Sequence, residues 1–129
     1  MLLDTGPLVA FLNGRDSLHE WALTQWGQIA MPMLSCESVL SEACHVLGSA
    51  DAVMRLVERG VIALPFHLAD HTTQVSRLLR QYASVPMSLA DACLVRMSEL
   101  QADGPVFTLD SDFRIYRRNG RRTIPTLMP

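Results

Sequence analysis

Apolar residues in this 129-residue chain come in blocks of two kinds. Short, wholly apolar runs alternate with longer stretches in which apolar positions recur at helical spacing. That pattern predicts strands buried on both faces and helices packed against them. Met1 to Asp4 reads as a strand stopped by Thr5-Gly6-Pro7, followed by a helix from Pro7 to Asn13 with proline in its first turn. Ser17-Leu18-His19-Glu20 has the form of a capping box opening a second helix that runs to about Gln28. IAMPML is a weak strand, Ser35 to Leu47 a helix ended by Gly48, and Ala50 to Arg59 a helix ended by Gly60. VIALPF is a strand, and Leu68 to Tyr82 and Ser88 to Leu100 are helices. PVFTLD is a strand, Phe113 to Arg118 a short helix ended by Asn119-Gly120, and RTIPTL an edge strand.

Strands alternating with helices predict an α/β fold around a mainly parallel sheet covered on both faces. With no linker, repeat or low-complexity tract, residues 1–129 read as one domain. No apolar run is long enough to span a bilayer, and the first residues lack the basic segment and cleavage site of a signal peptide. A cytoplasmic location without a membrane partner is the expectation. Cys36, Cys44 and Cys93 are odd in number and form no CxxC pair, so they read as small buried hydrophobes in a reducing compartment.

Charge changes the picture only locally. A net charge of −2 excludes a polycation. All 11 basic residues are arginine, and five of them fall between Arg114 and Arg122.

The acids carry more. Asp4 and Asp110 both end predicted strands, at the carboxyl edge where parallel sheets bind ligands. Each has a plain structural explanation as a helix N-cap, with Asp112 complementing the next helix dipole. Glu42 falls on the margin of an apolar stripe made by Val39, Leu40, Ala43, Val46 and Leu47, where a rim carboxylate is ordinary. Asp91 completes a capping box with Ser88, yet its neighbours one turn on are Leu94 and Val95. Taken together the explanations weaken, because carboxylates gathered at one site repel one another. A divalent cation makes such a cluster tolerable, and an oxygen-rich set suits Mg²⁺ or Mn²⁺. A site of that kind can activate water and stabilise in-line displacement at phosphorus. His67 and His71 are spaced for a shared zinc ion, but no third nitrogen or sulfur ligand lies near them in sequence.

In order and spacing, LLDTGPLVAFLN, SVLSEACHVL, SLADACLV and TLDSDF resemble the PIN domain family, and most of all its VapC-type toxins from prokaryotic toxin–antitoxin pairs. The resemblance covers almost the whole chain. It implies a three-layer α/β/α, Rossmann-like domain and a Mg²⁺- or Mn²⁺-dependent endoribonuclease that cleaves RNA by metal-activated water. It assigns Asp4, Glu42, Asp91 and Asp110 to catalysis and metal binding, with Asp112 as the other candidate for the fourth acid. Thr5 and Thr108 match supporting polar positions. A cognate antitoxin and a homodimer are the implied partners, with Leu18, Trp21, Ala22 and Gln25 contributing to such a surface. Arg114, Arg117 and Arg118, on one face of the predicted short helix, become candidates for RNA phosphate contacts, and Tyr116 a candidate for stacking on a base. The alternative is a PIN-fold RNA- or protein-binding module without catalysis, against which the presence of all four acids argues.

Overall fold

The computed structural model describes residues 1–101 and 104–129. Its main sheet contains β1 (Leu2–Leu3), β2 (Met33–Leu34), β3 (Ile62–Ala63), β4 (Val106–Phe107) and β7 (Thr126–Leu127), all parallel, in the order β3-β2-β1-β4-β7. The helices are α1 (Thr5–Leu12), α2 (His19–Trp26), α3 (Glu37–Leu47), α4 (Asp51–Glu58), α5 (Thr72–Gln81) and α6 (Leu89–Leu100). They cover both faces, so the fold is the expected three-layer α/β/α sandwich.

Alternation along the strands sends successive side chains into two separate cores. Leu2 and Val106 join Val75 and Leu78 of α5 and Leu94 of α6. Leu3 and Phe107 join Leu8 of α1, Trp26 of α2 and Val53 of α4. Helix α3 and its N-cap supply both, with Cys36 and Val39 on one side and Leu40 and Ala43 on the other. Cys36 and Cys93 are buried as expected, and Cys44 half-buried; all three are free thiols.

The connections place the site. From β1 the chain steps outward through β2 to β3, then returns to lay β4 on the opposite side of β1, with Leu2 level with Val106 and Leu3 with Phe107. The strand order therefore reverses between β1 and β4. Diverging connections at such a point leave an open crevice beyond the carboxyl ends.

Four local expectations are corrected. Helix α2 begins without a capping box: Leu18 is its N-cap, and the Asp16 carboxylate takes the Leu18 amide at 2.9 Å instead. The stretch expected as one helix from Leu68 is a 3₁₀ turn, Leu68–Asp70, followed by α5; the break falls at His71, whose ring stacks on Phe66 at 4.9 Å. The stretch from Phe113 to Arg118 is no helix. A 3₁₀ turn, Ser111–Arg114, leads into an antiparallel hairpin of β5 (Arg117–Arg118) and β6 (Arg122–Thr123). Asn119 and Gly120 at its tip have φ of 52° and 73°. Such left-handed values are typical of tight hairpin turns, and an Asn-Gly pair is their strongest sequence signal. Finally, Val46 is 63% exposed and lies off the buried stripe of α3.

Of the residues expected on the α2 partner surface, Ala22 is fully buried and cannot contribute, and the Trp21 ring packs on Phe107 at 5.6 Å, while Leu18, Trp21 and Gln25 are half-buried. Among the described residues no helix is long and apolar enough to cross a membrane.

Candidate active site

Asp4 follows β1 directly and caps α1, its Oδ1 accepting from the Thr5 amide at 2.7 Å. Its backbone continues the ladder, donating to the Phe107 carbonyl at 3.0 Å. This register sets Asp4 beside Thr108, whose hydroxyl donates to Asp4 Oδ2 at 2.6 Å. The same Thr108 oxygen accepts the Asp110 amide at 2.9 Å. Simple strand alternation does not place Asp110, because β4 ends at Phe107; the Thr108 hydroxyl captures its amide and turns the chain. Asp110 then caps the following 3₁₀ turn, accepting from the Asp112 amide at 2.9 Å.

Two helices bring the other acids. The Ser88–Asp91 capping box is present: Asp91 Oδ2 accepts from Ser88 N at 3.0 Å while Ser88 Oγ accepts from Asp91 N at 3.0 Å. Capping does not remove Asp91 from the site, because the first turn of α6 opens onto the crevice. Glu42, on the exposed side of α3, accepts from the Thr5 hydroxyl at 2.8 Å. An open cleft of about 430 Å³ is lined by Asp4, Thr5, Gly6, Glu42, Ser88, Asp91, Leu109 and Asp110. Among the described residues no cationic side chain lines it. Asp112 does not line it and sits within the 3₁₀ turn that follows Asp110.

Crowding shows in the acidities. Burial pushes the Asp4 carboxyl up to about 6, against the Thr108 and Thr5 hydrogen bonds and with help from the charges of Asp91 and Asp110. Burial also raises Asp91, with the Asp110 charge adding to it. Protein donors pin three of the acids through one oxygen each. Among the described residues, hydrogen bonds reach Oε2 of Glu42, Oδ2 of Asp91 and Oδ1 of Asp110, and each of these carboxylates keeps its second oxygen open.

The PIN domain matches residues 1–119, a span that includes all four acids of the cleft. The chain belongs to the PIN domain family. No curated protein matches it. PIN domains are generally nucleases, and those nucleases generally use divalent metals. The donor set here fits such an ion: carboxylates and hydroxyls, without nitrogen or sulfur, suit a small hard cation. Among the described residues no three His, Cys, Asp or Glu side chains converge into a ready-made cage.

Other candidates fall elsewhere. Tyr116 is fully buried, so it offers no face to a base. Arg117 Nη1 donates to the carbonyls of Arg114, Ile115 and Tyr116 at 2.7, 3.0 and 3.0 Å, holding the end of the 3₁₀ turn. Arg114, Arg121 and Arg122 are exposed. Arg114 and Arg118 lie on different elements, the 3₁₀ turn and β5. His19 bonds the Ala10 carbonyl through Nδ1 at 2.7 Å and ties α2 to α1. Two contacts have no signal in the sequence. The Tyr116 hydroxyl reaches Asp91 at 3.2 Å, and a Cβ on Gly6 would stand 3.1 Å from the Leu109 side chain. Only the folded paths of α1, α6 and the chain beyond β4 bring these together.

Proposed function

We propose that this chain is a Mg²⁺- or Mn²⁺-dependent endoribonuclease of the VapC type, the toxin of a toxin–antitoxin pair. The observation that carries the nuclease reading is four carboxylates from separate elements sharing one open cleft in which, among the described residues, no cationic side chain neutralises them. Asp4, Glu42, Asp91 and Asp110 would hold the ion, and Thr5 and Thr108 would orient Glu42 and Asp4. When bound, a divalent cation neutralises phosphate charge and acidifies water at the scissile bond. The residues supply the rest: Thr108 fixes the spacing of Asp4 and Asp110, and Ser88 holds one oxygen of Asp91. The openness of the cleft suits a polymer strand passing across it. Exposed arginines of the 3₁₀ turn and hairpin would draw that strand in. A cognate antitoxin and a homodimer belong to the same reading and rest on the resemblance, and a cytoplasmic location and a single domain over residues 1–129 remain part of it.

The test is direct. Purified protein should cut unstructured RNA with Mn²⁺ or Mg²⁺ and stop in EDTA, and Asp91→Asn should abolish cutting. Full activity in chelator would overturn the metal assignment. Metal-independent RNA binding with no cleavage under any divalent ion would favour a non-catalytic binding module.

A further inference from the structure

Asp91 Oδ2 is held from two directions. Ser88 N donates from the same helix end at 3.0 Å, and the Tyr116 hydroxyl donates from beyond the 3₁₀ turn at 3.2 Å. A single donor leaves a carboxylate free to swing about its bond to the backbone; a second donor from another element fixes its plane. The Tyr116 ring is itself immobilised. It meets Tyr82 edge-on at 5.1 Å and Phe113 edge-on at 5.3 Å, and it is fully buried. Tyr82 in turn accepts the Arg117 amide at 3.0 Å, which anchors the start of β5. The phenol oxygen is therefore placed by packing that a phenylalanine would make equally well, and its hydrogen goes to Asp91.

We propose that Tyr116 is a positioning residue for the metal site: its hydroxyl holds Oδ2 of Asp91 and so presents Oδ1 as the oxygen open to the cation. The assignment rests on the metal-dependent nuclease reading above. It also ties the basic hairpin to the acidic cleft, because Tyr116 immediately precedes β5. Groups that orient a metal ligand matter nearly as much as the ligand, and their loss commonly weakens metal affinity or activity by about 10- to 100-fold.

Tyr116→Phe in the full chain separates this role from packing. Three quantities decide it: Mn²⁺ binding followed by the EPR signal of the free ion, the Mn²⁺ concentration giving half-maximal RNA cleavage, and the thermal midpoint in EDTA. The expected result is roughly tenfold weaker Mn²⁺ binding and a matching rise in half-saturation. Cleavage should recover toward the wild-type rate at saturating Mn²⁺, while the midpoint in EDTA stays near the wild-type value. In an Asp91→Asn background the same change should weaken Mn²⁺ binding no further, since the two residues act as one unit. Unchanged Mn²⁺ binding and half-saturation in Tyr116→Phe, or an equal additional loss in both backgrounds, would make Tyr116 a packing residue only. Wild-type protein that binds no Mn²⁺ and cuts no RNA would remove the nuclease reading and this assignment together. Wild-type binding with an indifferent Tyr116→Phe removes the assignment alone.

Discussion

Thr108 donates its hydroxyl hydrogen to Asp4 at 2.6 Å across 104 residues of sequence, at the point where the strand order reverses. With its own oxygen accepting from the Asp110 amide, this one fully buried residue sets the positions of two acids. Thr108→Val keeps the shape and removes the bond. It should cost about 1–3 kcal/mol by stranding a buried carboxylate, and lower cleavage about tenfold or more. Thermal midpoints and single-turnover rates on one RNA check both. Wild-type rates in the valine variant would show that the turn holds Asp110 without the hydroxyl.

Asp4 makes the ion-free protein pH-sensitive. Its carboxyl titrates near 6 in the fold against 3.8 as an ordinary aspartate, so between those values the folded state binds more protons than the unfolded state. Stability therefore falls as pH rises through the window from about 4 to 6 and stays reduced above it. The full difference is about 3 kcal/mol at 1.36 kcal/mol for each pKa unit. Denaturant titrations in EDTA should show this decline, and Asp4→Asn should reduce it, leaving the part that the raised Asp91 carboxyl contributes. Near-neutral Mn²⁺ should restore the lost stability in the wild type.

Asp110 and Asp112 differ in what they face. Asp110 lines the cleft, whereas Asp112 serves the first turn after it. Asp110→Asn should nearly abolish cleavage and weaken Mn²⁺ binding. Asp112→Asn should retain most activity and lose about 0.5–1 kcal/mol from the 3₁₀ turn. A dead Asp112→Asn beside an active Asp110→Asn would reverse the assignment of the fourth acid.

The arginines divide by what already holds them. Arg117 is spent on three backbone carbonyls, so Arg117→Ala should act mainly by lowering the thermal midpoint. Replacing exposed Arg114, Arg121 and Arg122 together should weaken RNA binding and make its salt dependence shallower. The log–log slope should fall by about 0.7 for each phosphate that the variant no longer neutralises. Equal salt slopes for that triple variant and the wild type would leave these side chains as solvated surface.

Much of the fold is legible in the residues. Blocks of apolar sequence separated by helical periodicity lead to the parallel sheet, since strands buried on both faces show no alternation. Asp4 and Asp91 carry local signatures, a carboxylate beside Thr-Gly-Pro and one inside a capping box. Both signatures are real, and neither excludes a place in the cleft. The hairpin hides because arginines at three- and four-residue spacing imitate a helical face. The Asn119-Gly120 pair is the better signal there, marking a hairpin tip rather than a helix stop. Tyr116 and Leu109 cannot be placed from the chain alone. Their partners, Asp91 and Gly6, are distant in sequence and meet them only through tertiary packing.

Helix α3 gives residues to both cores, Val39 to one and Leu40 and Ala43 to the other. It can be released only when both faces of the sheet come apart. Its amides should therefore exchange with deuterium at the rate of global opening, together with β1 and β4. Helix α5 serves one core alone, through Val75 and Leu78, and should open in a smaller, earlier event. Glu42 thus rides on one of the last elements to let go, so the cleft should keep its shape while the periphery of the molecule breathes.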